Sequence, residues 1–449
     1  MLVFWCFISS KCRFIYAYIH TEIRVKLTTK LGYAALSAAM LCGSAVQAAG
    51  FQLTEQGVTG LGRAYAGAGI VGDDLSAIAH NPAGLTLIPG TNVQQNVVLT
   101  VLDFEYKGED GEHENGRRKA VPVPSGYISH QVNENWWVGL GLTAPYGLAD
   151  EYSADWTGRN KGISGSIITI DINPTVAWKV NEHVSLGAGV SAMYTYSKLK
   201  NGLPTGTHDE FEYHGEDWMF TYDLGIMVSP VESFRAGLSY RSRAKVNAKG
   251  DYTLDIGGQK ATVFGHGRLS TPETVMFSTT WEATERLRLS TLIRWSNWEK
   301  FKTMEFKANN PDDLYAGLGM PAGAVAQYAG LGTVAIENNW RAAWLFTVGA
   351  DYKLNDQWTI RGGFGMETDP IKDQTTRTAV IPDSKRLWVA CGASWKPNQN
   401  WQLDLAYAHL RGIGNDKIYD KYTNGNSEPI GKMDTMNAWL IGGAIQYHF

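Results

Sequence analysis

Reactive side chains at useful spacings are scarce in this 449-residue sequence. A Gly-x-Ser-x-Gly turn would present a serine nucleophile and a His-Glu-x-x-His helix would hold zinc, and neither occurs. His80, His113, His130, His183, His208, His214, His266, His409 and His448 are scattered, without the spacing that sets metal ligands together. Cys6, Cys12 and Cys42 fall in an N-terminal stretch that reads as removable. Cys391 is then left alone, and the mature chain cannot form an intramolecular disulfide. The formal net charge is −4, with no basic stripe or arm for nucleic acid and no nucleotide-binding motif. These residues point away from catalysis, metals and cofactors. A hydrolase site assembled across distant strands is a remote alternative.

The regularity of the chain lies in a two-residue period, which puts alternate side chains on opposite faces of a strand. Ile168, Ile170, Ile172, Val176 and Trp178 alternate with Thr169, Asp171, Asn173, Thr175 and Lys179. The next run, Val184 to Ser197, repeats the pattern with Gly, Ser and Thr on its second face. At the C-terminus Trp439, Ile441, Gly443, Ile445, Tyr447 and Phe449 oppose Leu440, Gly442, Ala444, Gln446 and His448. An apolar face backed by a small or polar one suits lipid on one side and a wet or crowded lumen on the other. A soluble sandwich usually carries more charge outside. After residue 48 no apolar run is long enough for a spanning helix. In a membrane such a chain must close into a barrel, because lipid cannot satisfy free backbone groups.

Short polar turns recur at Asn133-Glu134-Asn135, Asn181-Glu182-His183, Pro230 to Ser233, Glu282 to Glu285, Asn355-Asp356-Gln357 and Pro397 to Asn400. Trp136, Trp178, Trp281, Trp358 and Trp401 flank them, as in an aromatic girdle at one interface. Longer connections alternate with them, among them Gly108 to Lys119, Leu203 to Asp217 and Thr303 to Asn339. Six short turns separate seven hairpins, which predicts about fourteen strands, the first near Val93 to Phe104. The expected fold is all-β, a membrane-spanning antiparallel up-and-down β-barrel over residues 91–449. Phe449 is the expected recognition end for the barrel-assembly machinery.

Lys26 and Lys30 precede the apolar stretch Leu31 to Leu41, and small residues follow to Ala48. This is the form of a secretory signal, so residues 1–48 are expected to be removed. Residues 1–24 fit poorly ahead of such a signal, and Val25 is the expected start. A mature N-terminus upstream of Lys26 would contradict this. Ala49 to Gly90 shows no alternation and is rich in Gly. Composition leaves it as either a periplasmic tail or a plug, since a barrel of this size encloses a channel unless something fills it.

Within this segment Ala49-Gly50-Phe51-Gln52-Leu53, Gly60-Leu61-Gly62-Arg63-Ala64-Tyr65-Ala66-Gly67, Asp73-Asp74 and Asn81-Pro82-Ala83 resemble the N-terminal hatch of the FadL family. Tyr146-Gly147-Leu148-Ala149 after the third strand and Ile381-Pro382-Asp383 before the twelfth also resemble it. The family consists of outer-membrane transporters of long-chain fatty acids and related hydrophobic compounds. The resemblance implies that residues 49–90 plug the barrel, and that extracellular loops capture the substrate. It further implies an apolar pocket inside the barrel, release by hatch movement, and lateral exit beside a kink in the third strand. A bacterial outer-membrane location follows, in lipid and lipopolysaccharide, and a monomer is expected. A plugged lumen argues against a general porin.

Several residues carry these expectations. Pro145, in Thr143-Ala144-Pro145-Tyr146-Gly147, cannot donate to a ladder and Gly weakens one, so Pro145, Tyr146 and Gly147 mark either the kink or a plain strand end. Phe51 matches the hatch-start aromatic that contacts the pocket, with a hydrophobic anchor as the alternative. Asn81, Pro82 and Ala83 are expected to shape a hatch turn rather than touch ligand. A fatty-acid carboxylate would favour a basic partner; Lys198, Lys200 and Arg341 are candidates, or else solvated charges at loop bases. The pair Lys198 and Lys200 leans toward fatty acids over the alternative cargo, aromatic hydrocarbons. The loop after the fifth strand is shorter than in fatty-acid members. Leu314, Tyr315, Leu318, Met320, Val325 and Tyr328 of the long connection could instead form an exposed apolar capture helix, or an inward-folded lid.

Overall fold

The computed structural model describes residues 50–116, 120–206, 208–320, 329–414 and 416–449. Residues 1–48, the expected signal, and Val325 and Tyr328 lie outside the described residues. Among the described residues the alternating segments form fourteen antiparallel strands. These are β1 (Thr91–Gly108), β2 (Ala120–Gln131), β3 (Trp136–Thr143 and Gly147–Glu151), β4 (Ser164–Lys179) and β5 (Val184–Gly202). Next come β6 (Glu210–Val231), β7 (Phe234–Arg241 and Lys245–Ile256), β8 (Gln259–Ser270 and Glu273–Glu282) and β9 (Leu287–Asn297 and Thr303–Ala308). The wall is completed by β10 (Thr333–Glu337 and Ala343–Lys353), β11 (Trp358–Glu367), β12 (Arg386–Trp395), β13 (Trp401–Gly412) and β14 (Gly431–His448). Each pairs with its sequence neighbours, and β14 pairs with β1 from Asn92↔His448 to Gly108↔Gly431, which closes the sheet.

Burial is inverted relative to a soluble sheet. On β4 Thr169, Asp171, Asn173 and Thr175 are buried, while Val176 and Trp178 are exposed. On β14 Gln446 is buried, while Ile441 and Ile445 are exposed. The outer face is thus apolar all round, as lipid requires. Trp136 stacks on Trp178 at 5.5 Å, and Trp358 on Trp395 at 5.9 Å, beside the short turns at one rim. One device builds four of those turns. The side-chain oxygen of Asn133, Asn181, Asn355 or Asn398 accepts from the backbone N–H groups two and three residues on, at 2.8–3.1 Å. This reinforces the backbone bonds that close the turns, such as Val132 N–H to Trp136 O at 2.8 Å and Leu354 N–H to Trp358 O at 2.9 Å.

Two predicted loops are shorter than expected. Leu203 to Asp217 was expected to be loop throughout, but β6 begins at Glu210 and pairs with β5. Its charged residues Glu210 and Glu212 alternate with buried Phe211 and Tyr213, so the strand pattern persists where the outer face meets water rather than lipid. Thr303 to Asn339 likewise contributes strand at both ends, Thr303–Ala308 pairing with Thr333–Glu337.

Residues 50–90 lie within the barrel as short helices (Val58–Leu61 and Ala77–His80), a 3-10 turn (Pro82–Leu87) and irregular chain, almost wholly buried. The wall comes very close to it: a Cβ on Gly363 of β11 would sit 2.2 Å from the carbonyl carbon of Arg63. The glycines of the inner face therefore make room for the plug's backbone. Buried charge holds it there. Arg63 forks onto Asp73 at 2.7 and 3.0 Å and reaches Asp351 of β10 at 3.2 Å. Asp351 also accepts from Arg361 of β11 at 2.9 Å.

Candidate functional site

The β3 strand is interrupted at Ala144-Pro145-Tyr146. Thr143 pairs with Asp171 and Gly147 with Ile168, so three residues of β3 stand opposite two of β4, a bulge. On the other side the β2–β3 ladder runs from Gln131↔Trp137 to Gly126↔Leu142 and does not resume along Gly147–Glu151. Pro145 thus lies at a true break in the wall, with Tyr146 and Gly147 beside it.

The start of the plug takes up the freed backbone groups, as buried polar groups demand. Leu53 N–H donates to Pro145 O at 2.8 Å, and Gly147 N–H to Phe51 O at 2.8 Å. Gln52 and Tyr146 form the bridge between these bonds. Gln56 Nε2 donates to Ala144 O at 2.9 Å, while its own carbonyl accepts from Tyr127 Oη at 2.6 Å and Ser125 Oγ at 3.0 Å on β2. Residues 51–56 therefore span the place where β2 and β3 part.

Phe51 sits at the centre of an aromatic cage. Its ring lies 4.9 Å from Trp298, 5.5 Å from Phe301 and 6.0 Å from Tyr146, mostly edge-on. Trp340 closes the far side, 5.0 Å from Trp298 and 4.6 Å from Phe301. Trp298 and Phe301 come from the interruption of β9, and Trp340 from that of β10, where Asn339 adopts φ 46° and turns the chain inward. Gly50 is needed here: its φ is +68°, and a Cβ would meet the Trp340 ring at 2.5 Å. Gly50 N–H donates to Asp383, which also accepts from Arg386. The Ile381-Pro382-Asp383 stretch thus anchors the first described residue of the plug.

Of the other predicted residues, Asn81 caps the turn Pro82–Leu87 by accepting from Ala83 N–H at 3.1 Å, and donates to Ile226 O at 3.2 Å. Asn81, Pro82 and Ala83 pack against the β5–β6 wall rather than in the Phe51 cage. Lys198 pairs with Glu212 at 2.8 Å and Lys200 with Glu210 at 2.7 Å across the β5–β6 ladder, while Arg341 pairs with Asp369 at 3.1 Å. Each basic candidate therefore already has a carboxylate. In the helix Pro311–Gly317 and the turn after it, Leu314, Tyr315 and Leu318 are buried and Met320 is half-buried. Leu314 and Leu318 join the apolar cluster that includes Ala261 of β8. Of the two forms expected for this connection, an exposed apolar helix or an inward-folded lid, the burial of Leu314, Tyr315 and Leu318 accords with inward packing. The sequence reading missed Trp298, Phe301 and Trp340, and named Asp383 only within the Ile381-Pro382-Asp383 stretch, without a role. The available signal was the end of alternation at Asn297-Trp298 and the Asn338-Asn339-Trp340 run.

Below the cage the plug carries titratable groups. Arg294 of β9 bridges Thr54 Oγ1 and Glu367, both at 2.7 Å. Glu55 beside them makes no ion pair among the described residues, and burial pushes its carboxyl up to about 7, against the pull of backbone N–H groups. A carboxyl raised in the folded state stabilises it fully below its ordinary value of 4.5. That contribution is lost as pH rises to about 7. Hydrogen exchange of the Phe51–Val58 amides should show their protection falling by about 3 kcal/mol over that window. Glu55→Gln should remove one proton from the slope. An identical slope in the variant would show that Glu55 is ionised in the seated plug.

A family model described as outer membrane protein transport protein (OMPP1/FadL/TodX) matches residues 39–449. The long-chain fatty acid transport protein of Escherichia coli (strain K12) is 23% identical over 463 residues, covering 92% of this chain and 97% of its own length. Outer membrane protein P1 of Haemophilus influenzae is 26% identical over 428 residues, covering 84% and 89%. Among solved structures, a Pseudomonas aeruginosa FadL homologue superposes with a TM-score of 0.76 at 21% identity, covering 89% of this chain and all of the other. The Pseudomonas putida toluene transporter TodX gives 0.67 at 16% identity, covering 89% and 99%. At these identities the structures establish a shared fold.

Proposed function

The chain belongs to the OMPP1/FadL/TodX family of outer membrane transport proteins, and on that premise we propose that its cargo is long-chain fatty acid, taken up passively and released sideways into the membrane. Transport of hydrophobic compounds across the outer membrane, rather than enzymatic turnover, is the coarse function that the family and its relatives support. The observation that carries the finer reading is the position of the Phe51 cage against the β3 break, with residues 51–56 of the plug filling it.

In this mechanism the alkyl chain leaves water for the cage, at a gain of roughly 0.8 kcal/mol per methylene. The plug's first residues then withdraw from Pro145 and Gly147. Their departure frees the gap between β2 and β3, and the chain passes into lipid without crossing the charged lumen below. The hydrogen bonds broken at the gap are few, so withdrawal costs little beside the burial that drives entry.

A second reading, uptake of aromatic hydrocarbons, draws on the rings that surround Phe51 and on the ion pairs that occupy Lys198, Lys200 and Arg341. Growth of a knockout strain on oleate and on toluene as sole carbon source separates the two. Growth on oleate is expected to depend on the gene, and Phe51→Ala to slow uptake of labelled oleate about tenfold, the worth of one or two ring contacts. Dependence on toluene alone would favour the second reading. Dependence on neither would sink both.

A further inference from the structure

Two internal cavities meet at His80 of the plug. The larger, about 50 Å³, lies directly behind the β3 break, between Pro145 and Tyr146 of the wall and Gln52 of the plug, with Arg241 of β7 and Arg294 of β9 on its polar side. The smaller, about 10 Å³, lies within the plug among Tyr65, Asp73, Asp74 and Ser76. The first has room for a few waters and the second for one. Polar atoms without a hydrogen-bond partner among the described residues gather along this path. They are Gln56 Oε1, Asp223 Oδ2 and His80 Nε2 at the larger cavity, and Tyr65 Oη and Asp74 Oδ2 at the smaller. Buried polar atoms are rarely left so, and a line of them between two cavities suits a path for water. The path ends at the short-turn rim, the periplasmic side of such a barrel. There Asp73 is half-buried, and its carbonyl accepts from Gln402 and Gln446, both at 3.3 Å, beside the paired rings of Trp401 and Tyr447.

The groups along the path suit proton transfer. Asp74 faces Asp73 and Arg63 of the plug, Asp404 of β13 and Tyr127 of β2, and Ser76 Oγ donates to its Oδ1 at 2.8 Å. Burial, with Asp73 beside it, pushes its carboxyl up to about 7, so it carries a proton near neutrality. His80 faces Arg63 and Tyr65 of the plug, and Asp223, Arg241 and Arg294 of the wall. Burial near three guanidinium groups pushes its imidazole down to about 3, so the ring stays neutral. A neutral imidazole can take a proton at one nitrogen while releasing one from the other. We propose that Asp74 and His80 relay a proton from the periplasm to the carboxylate of the cargo at the β3 break. This rests on the fatty-acid reading above. A carboxylate entering lipid as an anion pays a heavy desolvation cost, which the neutral acid avoids. In the step, one His80 ring nitrogen gives up its proton through water in the larger cavity. That N–H bond breaks as an O–H bond forms on the carboxylate. The other nitrogen takes the Asp74 proton, and Asp74 recovers one from periplasmic water, leaving hydroxide to the buffer. The ring regains its first tautomer by exchange with cavity water between passages. Arg241 and Arg294, already paired with Asp171 and Glu367, draw the head close without retaining it.

The test uses a knockout strain expressing the full chain, supplied with labelled oleate or with labelled oleyl alcohol, which shares the tail and needs no proton. Asp74→Asn keeps the shape of the protonated carboxyl but cannot pass a proton on, and His80→Gln removes the relay between the cavities. Each should slow oleate uptake about tenfold at about pH 8, a modest share of what a positioned proton donor contributes. At about pH 5 the deficit should shrink to less than about twofold, because the head then takes its proton directly from water. Uptake of oleyl alcohol should stay within about twofold of wild type at both values, since burial of its tail is unchanged. Wild-type oleate uptake in both variants at the higher pH would overturn the relay and leave the transport reading intact. Equal loss of both cargoes would do the same, because it would show that Asp74 and His80 only seat the plug. A loss of oleate uptake that persists at the lower pH would also overturn the relay. Failure of the wild type itself to take up oleate would overturn the fatty-acid reading and the relay with it.

Discussion

Oxidising a Gln52→Cys, Tyr146→Cys double variant should stop uptake, and reducing it should restore uptake. These residues form the bridge at the β3 break, flanked by the bonds Leu53 N–H to Pro145 O and Gly147 N–H to Phe51 O. That arrangement is the non-hydrogen-bonded antiparallel pair, in which Cα atoms lie about 4.5 Å apart. A disulfide spans such a distance without moving the backbone. Cys391 is exposed on β12, away from the bridge, so it does not compete for the new thiols. The covalent link would hold the plug's first residues in the gap between β2 and β3. Uptake of labelled oleate should fall at least about tenfold on oxidation, because a single gate then controls passage. Comparing oxidised with reduced forms of one variant cancels any effect of losing the Tyr146 ring. Equal uptake in the two forms would mean that cargo leaves without displacing residues 51–56.

Arg63→Ala should unseat the plug while leaving the barrel folded. Arg63 is 2% exposed, and its guanidinium faces Asp73 within the plug and Asp351 on the wall. Removing one partner of a buried charge cluster typically costs 3–5 kcal/mol, because the carboxylates left behind are neither solvated nor neutralised (about that range). Here Arg361 remains 2.9 Å from Asp351 and 3.8 Å from Asp73, so the cost should fall near the lower end, about 3 kcal/mol. Planar-bilayer recordings should show larger and more frequent openings than the wild type, and faster migration of the unheated protein in gels, lost on boiling, should persist as the sign of an intact barrel. Arg63→Lys should restore only part of the seal, since an ammonium cannot fork onto Asp73 and reach Asp351 together. Wild-type conductance in the alanine variant would show that shape, not charge, seats the plug.

The sequence alone was enough for the barrel, its strand count and its lipid-facing side. Each depends on local order: the alternation of Ile168 to Trp178 says which face is apolar, and turns such as Asn133-Glu134-Asn135 carry their own capping oxygen. Pro145 was marked as an interruption of the ladder for the same reason, since proline's missing N–H acts wherever it stands, but local order left open whether it kinks the strand or ends it. What surrounds a side chain across the lumen is not local. Phe51, Tyr146, Trp298, Phe301 and Trp340 meet only because two strand interruptions fall at one level and the plug threads between them. Lys198 and Lys200 read as free cations in one dimension, yet the β5–β6 register, with His214 opposite Lys198 and Glu212 opposite Lys200, brings Glu212 and Glu210 into diagonal reach of them. Strand register and the path of the plug decide such partners, and a two-residue period constrains neither. The alternation therefore determined that this chain lines a membrane with strands, and the tertiary structure decided where a hydrophobic guest finds its aromatic walls.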